Sequence, residues 1–242
     1  MTFLKDDAEL QKVQLGMTVQ LNKASASVQV YNRLGQLMEI IAKRNDIELA
    51  VVIAVWLVES GGRIHKANRA IIRFENHLLR RQLNSDVLYK QNFIDDGCPP
   101  KSGKSWQGHF WRVVPTANWQ KVHKDQISEY DVLTFARSRY GDDIAMQCIS
   151  IGGPQILVSN YKVIGYKTPA EMFDAFQKSE RAHVLGFFDF CQHSIKNGLK
   201  LLRDKQFREF ARSYNGPGNA EEYGRKINQS YELTKTALRD VG

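Results

Sequence analysis

Glu59 is the residue in this sequence whose setting most favours unusual chemistry. It ends an unbroken apolar run, Leu49 to Val58, and is followed at once by Ser-Gly-Gly. If the run is a buried helix, Val55 and Trp56 lie one turn back on the same face. Apolar surroundings and the negative C-terminal end of a helix both disfavour an ionised carboxylate. The sequence therefore predicts a Glu59 that keeps its proton near neutral pH, as a general acid must; the alternative is a solvated end residue beside a glycine C-cap.

Two glycine-containing turns present further polar side chains. Tyr214-Asn215-Gly216-Pro217-Gly218 follows a helical pattern, and Gly152-Gly153-Pro154 precedes Gln155. Each segment can be interpreted simply as a tight turn, with Tyr214 packed beneath the first one. The alternative is that these rigid turns hold Tyr214, Asn215 and Gln155 in a cleft, where a phenol and two amides can bind substrate hydroxyls.

Other chemistry-bearing patterns are weak. Gly97 to Ser105 ends in Gly-Lys-Ser, but its spacing is one residue too long for a phosphate-binding loop, and two prolines remove amides that would hold phosphate. The six histidines form no HExxH pattern and have no serine or cysteine elbow nearby, so ordinary surface or core positions are expected for them. The three cysteines are widely spaced, which predicts neither a disulfide framework nor a metal site. We expect no metal and no other cofactor.

Composition limits the class of protein. The chain has 242 residues, of which 43% are hydrophobic, enough for one large domain with a substantial core. Its longest apolar run is about half of a membrane span, and its N-terminus lacks the order of a signal peptide. The net charge of +8 favours an acidic partner such as nucleic acid, a membrane surface or an anionic cell-wall polymer. The basic residues are dispersed, which argues against nucleic acid.

The elements that must position these residues are predicted to be mainly α-helical. Apolar spacing predicts an amphipathic helix from Val28 to about Arg44, and Asn45 with Glu48 resembles a capping box for the buried helix that ends at Glu59. Asn219 with Glu222 resembles a second capping box. Further helical patterns cover residues 128–140, 142–150, 169–176, 178–197, 204–212 and 220–239.

Three segments depart from this helical pattern. Residues 1–27 are polar and weakly patterned, which predicts a tail or linker without a core of its own. The segment Ile71 to Glu75 suits either a strand or the start of a helix. Residues 95–118 hold most of the glycines and prolines of this half of the chain and predict an irregular insertion or flap beside a site.

Taken in order, these pieces resemble the lysozyme-like superfamily, and most closely the N-acetylmuramidase domain of phage endolysins. The resemblance spans roughly residues 30–240, and the family usually has Trp-Gly where this chain has Ile-Gly at 151–152. It predicts a lysozyme-like helical domain over residues 28–242. The matching segments are Glu59-Ser60, Ile72 to His77, Ser150 to Ile156, Asn160 to Tyr166 and Phe210 to Pro217.

The resemblance implies a peptidoglycan hydrolase. Glu59 would protonate the glycosidic oxygen between N-acetylmuramic acid and N-acetylglucosamine, and Glu75 is the nearest candidate for a nucleophile or base, although a brace paired with Arg73 or His77 is an equal alternative. Asp95, Asp96 and Asp142 are weaker candidates. The residues expected to bind or position substrate are Ser60, Gln155, Tyr161, Tyr166, Tyr214 and Asn215.

Several alternatives stay open at this stage. Without a second carboxylate, the muramic acid itself could complete the reaction, as in a lytic transglycosylase that releases 1,6-anhydro products. A non-catalytic wall-binding module is a third hypothesis. The expected partner is peptidoglycan, with an inhibitor or immunity protein left open, and neither nucleic acid nor membrane insertion is expected. Synthesis in the cytoplasm would be followed by holin release, as for a phage lysin, or by delivery to a periplasm through a secretion machine.

Overall fold

The computed structural model describes residues 2–61, 64–66, 68–94 and 108–239, without the side chain of Ser60. The greater part of the predicted irregular insertion, residues 95–107, lies outside the described residues, and so do Asp95, Asp96 and the Gly-Lys-Ser loop. No helix in the described ranges has the length and apolarity to cross a membrane.

The fold is mainly α-helical, as the sequence predicts. Among the described residues the α-helices are α1 (Ala8–Lys12), α2 (Ala26–Arg44), α3 (Leu49–Ser60), α4 (Asn76–Leu83), α5 (Asp86–Asn92), α6 (Gln126–Tyr140), α7 (Asp142–Met146), α8 (Pro169–Lys178), α9 (Glu180–His193), α10 (Gly198–Arg203), α11 (Phe207–Tyr214) and α12 (Ala220–Leu238). Short 3-10 helices cover Leu4–Asp6, Val158–Asn160 and Pro217–Asn219.

Short strands form three small antiparallel sheets in the described part of the chain. The strands are β1 (His65–Lys66), β2 (Arg69–Ala70), β3 (Ile72–Phe74), β4 (Phe93–Ile94), β5 (Phe110–Trp111), β6 (Gln120–Lys121), β7 (Ile149–Ile151) and β8 (Ile156–Leu157). They pair as β1-β2, β3-β7-β8 and β4-β5-β6. In the middle sheet Phe74 lies opposite Ile149, which fixes the position of the residue that follows it, Glu75.

Two hydrophobic clusters fill the interior. The first joins α2 and α3 to α9, α11 and α12, with Trp56 and Phe187 among its buried aromatic residues. The second surrounds the β3-β7-β8 sheet and contains Phe74, Phe93 and Phe176. Phe190 packs against both clusters. Glu59 therefore belongs to a helix of the first cluster, and Glu75 follows a strand of the second.

The expectation that residues 1–27 form a tail without a core is wrong. Leu10 is fully buried in the first hydrophobic cluster, and the Leu4 amide donates to both carboxylate oxygens of Asp189 in α9, at 3.2 and 3.1 Å. Arg181 donates to the backbone carbonyls of Leu10 and Val13. Sequence patterning missed this docking because the segment is polar on average and its few apolar residues have no helical period. The start of the muramidase domain at residue 28 stays a prediction.

The local caps also differ from the sequence interpretation. α3 begins after Glu48 without a side-chain cap, and the Asn45 amide instead donates to the Ile41 carbonyl at the end of α2. Asn219 makes no cap for α12, because Pro217–Asn219 forms a 3-10 turn that leads directly into that helix.

Three predicted helices also differ in length or bounds. The pattern at 142–150 gives only α7 and then β7, because Ile149–Ile151 pairs with β3 and β8. The helix predicted at 178–197 ends at His193 as α9. The one predicted at 204–212 starts later, as α11 from Phe207.

Candidate active site

Helix α3 carries Glu59 to its position. Residues 51–56 of this helix are fully buried, so the helix is held on all sides by the first cluster. Its start is fixed by Glu48, which pairs with Lys205 and accepts from the Tyr231 hydroxyl at 2.7 Å. Its end is set by Gly61, whose φ of 62° lies in the left-handed region that glycine adopts readily. Glu59 therefore stands in the last turn of a rigid helix.

The Glu59 carboxyl group combines burial with one identified donor. Asn215 Nδ2 lies 3.0 Å from Oε1 and 3.3 Å from Oε2. Burial raises the pKa of Glu59 to about 7, and the hydrogen bond from Asn215 opposes that rise. The residue as a whole is only half-buried, so it keeps some contact with solvent. A carboxyl group of this kind can hold a proton and release it at neutral pH.

Asn215 is placed by the end of α11. Its backbone amide donates to the Ala211 carbonyl at 2.8 Å, which makes it the C-cap of that helix. The neighbouring Tyr214 hydroxyl donates to the Pro154 carbonyl at 2.5 Å. Burial, and then the charge of Glu59, raises the pKa of Tyr214 well above its ordinary value. The structure thus joins the two glycine-containing turns through Tyr214 and brings Asn215 to Glu59.

The Gly152-Gly153-Pro154 turn lies directly against α3. A Cβ at Gly153 would come within 2.3 Å of the Trp56 ring, so only glycine fits there. Gly152 has a φ of +77°, and a Cβ on it would meet His183 Nδ1 at 2.0 Å. The Gly153 amide donates to that same nitrogen at 3.1 Å. Contact with Trp56, one turn before Glu59, requires glycine at 153, and the positive φ and the contact with His183 require it at 152.

Gln155 uses both ends of its side chain within this turn. Its Nε2 donates to the Gly152 carbonyl at 2.7 Å, and its Oε1 accepts from Ser150 Oγ at 3.0 Å. Its φ of 50° is in the left-handed region, which is uncommon for a residue with a Cβ. These contacts make Gln155 a brace of the turn in this structure.

Glu75 lies at the junction between β3 and α4. Its backbone amide donates to the Cys148 carbonyl at 2.8 Å, next to the paired strands β3 and β7. Arg73 Nε lies 3.1 Å from Oε1 of Glu75, and His77 Nδ1 lies 3.6 Å from Oε2. Glu75 is half-buried, whereas His77 is exposed. Arg73 and His77, the two partners expected if Glu75 only braces the fold, are therefore both beside its carboxylate. The carboxylate still keeps some solvent access.

The two cleft tyrosines expected from the resemblance occupy different settings. Tyr166 is only 8% exposed and lies in the second hydrophobic cluster, with its ring 6.3 Å from that of Phe176. Tyr161 is half-buried on the edge of the same cluster. Burial raises the pKa of Tyr166. No contact in the described residues joins either tyrosine to Glu59. Ser60 is the last residue of α3, and its side chain lies outside the description.

Cys191 and Tyr223 lie within electrostatic reach of Glu59, and the sequence did not predict either of them. The charge of Glu59 contributes to raised pKa values of Cys191 in α9 and Tyr223 in α12, in both cases after burial itself. The charge of Arg73 instead lowers the pKa of Tyr223. Tyr223 is thus within electrostatic reach both of Glu59 and of the residue that pairs with Glu75. Only the packing of α12 against α3 brings it there, and no local pattern indicates it.

The described residues contain no cluster of three or more histidine, cysteine or acidic side chains that could hold a metal ion. Asp142, the remaining weaker candidate for a second acid, is paired with Arg137 at 2.9 Å on an exposed surface. The hydrogen bond from Arg137 lowers the pKa of Asp142 below its ordinary value, and burial opposes this change.

Comparison with known proteins shows which family the chain resembles. The sequence model of the N-acetylmuramidase family matches residues 48–235, a range that contains Glu59, Glu75 and Asn215. The chain belongs to the N-acetylmuramidase family. A crystal structure of the Burkholderia AP3 phage endolysin superposes with a TM-score of 0.62 and 27% sequence identity, covering 82% of this chain and 70% of that one. No match was found among curated proteins.

Membership of the muramidase family establishes the type of enzyme. The chain is a glycoside hydrolase of the muramidase type, and its substrate is peptidoglycan. The likeness to the endolysin supports the mainly α, lysozyme-like fold predicted from the sequence.

Proposed function

We propose that Glu59 is the general acid of this muramidase and that it protonates the glycosidic oxygen between N-acetylmuramic acid and N-acetylglucosamine. The observation that carries the proposal is its carboxyl group, which burial brings to a pKa of about 7 and which Asn215 orients. A group with this pKa is partly protonated at neutral pH and can become ionised as the bond breaks. Leaving-group protonation by a buried carboxylic acid is the step that both classes of glycosidase require.

Glu75 is the proposed second carboxylate. It is half-buried and follows a strand of the second cluster, whereas Glu59 ends a helix of the first. Its pairing with Arg73 and His77 supports either of two functions: an oriented base or nucleophile, or a brace for the junction between β3 and α4. The charges of Arg73 and Glu59 both change the pKa of Tyr223, in opposite directions. This shared neighbour supports a position of the Arg73–Glu75 pair near Glu59.

The proposed substrate-positioning residues act in different ways. Asn215 contacts the acid itself and can direct its proton. Gln155 and Tyr214 act through the turn that packs on Trp56. Ser60 and Tyr161 stay proposals from the resemblance, and Tyr166 would contribute by supporting Tyr161 from the core.

The likeness to a phage endolysin supports a proposal for the delivery route. The AP3 protein is a phage endolysin. We propose the same use here, with the enzyme reaching the cell wall after holin release. A secreted antibacterial effector, with an inhibitor or immunity protein as its partner, is the second route. The net charge of +8 suits an anionic wall in both cases.

Product analysis tests the proposed acid. Purified peptidoglycan is digested with the wild type, with Glu59→Gln and with Glu232→Gln, an exposed glutamate of α12 that serves as the control. Soluble products with reducing muramic acid ends are expected from the wild type and the control. Glu59→Gln should lose at least about 100-fold in rate, because it removes the acid.

The other outcomes identify the alternatives. Products with 1,6-anhydro ends that disappear in Glu59→Gln would mean that the sugar completes the reaction and that Glu75 is a brace. Glu59→Gln with wild-type rate would overturn the role of Glu59. Binding to the wall without any products from the wild type would favour a non-catalytic module.

A further inference from the structure

Three buried side chains form a hydrogen-bonded row behind β3. Glu129 Oε1 lies 2.8 Å from His123 Nδ1, and His123 Nε2 lies 2.8 Å from His109 Nδ1. All three side chains have exposures of 7% or less. We call this row the Glu129–His123–His109 relay. Buried hydrogen bonds between titratable groups are uncommon, because each group gives up solvation for a single partner.

The relay determines which nitrogen of each imidazole carries the hydrogen. Glu129 Oε2 accepts from the Phe74 amide at 2.7 Å, and in its ionised form the carboxylate has only acceptors to offer His123 through Oε1. A neutral His123 then donates from Nδ1, which leaves its Nε2 as an acceptor. His109 must in turn donate from Nδ1, and its own Nε2 is left with a free lone pair. In a neutral relay, the position of Glu129 fixes the tautomers of both histidines.

The far end of the relay lies beside the Arg73–Glu75–His77 cluster. The ring centroids of His109 and His77 are 6.4 Å apart, and His77 Nδ1 lies 3.6 Å from Glu75. The pKa of His109 is lowered to about 3 by burial, and then by the charges of His123, His77 and Arg73. His109 is therefore neutral near pH 7. Its Nε2 makes no hydrogen bond to any described residue. This atom is not fully buried.

The backbone fastens the relay to the same cluster. Phe74, which donates to Glu129, is the residue directly before Glu75. The Val122 amide donates to the His109 carbonyl at 3.1 Å, next to the pairing of β5 with β6. Asn76, directly after Glu75, donates through its side chain to the Phe110 carbonyl at 3.3 Å. The relay and the cluster are therefore attached to each other at both ends.

We propose that Glu129 and His123 hold His109 as a neutral hydrogen-bond acceptor that positions the Arg73–Glu75–His77 cluster for the chemical step. The acceptor nitrogen can receive a hydrogen bond from His77, or from a water molecule held between His109 and Glu75. His109 is thus a positioning residue, and its effect on the reaction rests on the proposed role of Glu75. Its tautomer is a property of the relay alone.

Nitrogen-15 NMR of the histidine side chains in the intact wild-type protein tests the tautomer directly. We expect His109 and His123 to carry hydrogen on Nδ1 with an unprotonated Nε2. His183 supplies an internal control of the opposite type, because its Nδ1 accepts from Gly153 and its Nε2 donates to the Phe176 carbonyl at 2.7 Å. Hydrogen on Nε2 of His109 would overturn the proposal without reference to activity.

Glu129→Gln tests the link to catalysis. The new amide oxygen is needed by the Phe74 amide, so the NH₂ group faces His123 and should reverse both tautomers. We expect kcat to fall by about tenfold or more with KM changed by less than about twofold, since substrate binding is not the step affected. Glu129→Asp, which keeps the acceptor, should recover part of the loss, and Glu232→Gln should have no effect. Reversed tautomers with unchanged kcat would overturn the positioning role.

A parallel Glu75→Gln variant separates the two proposals. If Glu75→Gln retains full activity, the role of Glu75 fails, and with it the catalytic role of the relay, although the tautomer pattern can still be correct. If Glu75→Gln is inactive and Glu129→Gln is fully active with reversed tautomers, only the positioning proposal fails.

Discussion

Asn215 Nδ2 lies within hydrogen-bonding distance of both carboxylate oxygens of Glu59, at 3.0 and 3.3 Å. The two residues are 156 positions apart and come from the end of α11 and the end of α3. Burial raises the pKa of Glu59 while the Asn215 amide stabilises the ionised form, and the balance is a pKa of about 7. The pKa of Glu59 is thus set by two opposing effects that come from different parts of the chain.

Removal of the amide should shift this balance upward. In Asn215→Ala the ionised form of Glu59 loses its donor, so the pKa of Glu59 should rise by up to about one unit. The alkaline limb of the kcat/KM profile should move to higher pH by the same amount, while the maximal rate falls because the acid is less well oriented. Asn228→Ala, an exposed asparagine of α12, is the control. An alkaline limb that moves downward or not at all would contradict the assignment.

Glu59→Gln should stabilise the protein at alkaline pH. The folded-state pKa of Glu59 is raised from 4.5 to about 7, so its favourable contribution is complete below the ordinary pKa and is lost as the pH rises through 7. The uncharged variant avoids this loss and should gain up to about 3 kcal/mol of unfolding free energy above about pH 8. Below about pH 4 the two proteins should be equally stable. Urea unfolding at a series of pH values measures the difference, and a pH-independent one would refute the raised pKa.

Asp189 should show the same linkage at the N-terminal segment. Burial first, with the Leu4 amide opposing, raises its pKa from 3.8 to about 7. Its contribution to stability is therefore present below its ordinary pKa and is lost as the pH rises through 7. Asp189→Asn keeps an acceptor for the Leu4 amide and should flatten the pH dependence of unfolding in this range. If the variant and the wild type have parallel stability profiles, Asp189 does not titrate as described.

Gly153→Ala should disrupt the turn that packs on α3. The added Cβ would lie 2.3 Å from the Trp56 ring, which is fully buried and cannot move freely. Overpacking of this kind costs about 1–3 kcal/mol, and a displaced turn should also lower kcat. Gly218→Ala is the matched control, since nothing lies within 4 Å of a Cβ there. Thermal unfolding of both variants gives the comparison, and equal losses would show that the close contact is unimportant.

The sequence was sufficient to predict the environment of Glu59 because that environment is largely local. The apolar run that buries α3 and the glycine that ends it are adjacent in the chain. The glycine-containing turn after α11 drew attention to Asn215 in the sequence. The hydrogen bond between Asn215 and Glu59, however, depends on how α11, α12 and α3 pack. No local pattern carries that information.

Two features that the sequence did not predict depend on long-range contacts. Leu10 is buried because two side chains of α9 hold the polar segment around it: Asp189 accepts from the Leu4 amide, and Arg181 donates to the Leu10 carbonyl. His109 and His123 are ordinary histidines by spacing, and only the pairing of β5 with β6 and the approach of Glu129 join them. The capping box expected at Asn45 is wrong for a local reason: the Asn45 side chain donates to the Ile41 carbonyl in the preceding helix, and α3 begins after Glu48 without a side-chain cap.

The most direct test of the account is the pKa of Glu59 itself. Carbon-13 NMR of glutamate-labelled protein, with Glu59→Gln to assign the signal, follows the carboxyl group through its titration. The predicted midpoint is about 7, coincident with the alkaline limb of the wild-type kcat/KM profile. A midpoint near the ordinary value of 4.5, or an alkaline limb that does not follow it, would contradict the assignment of Glu59 as the general acid.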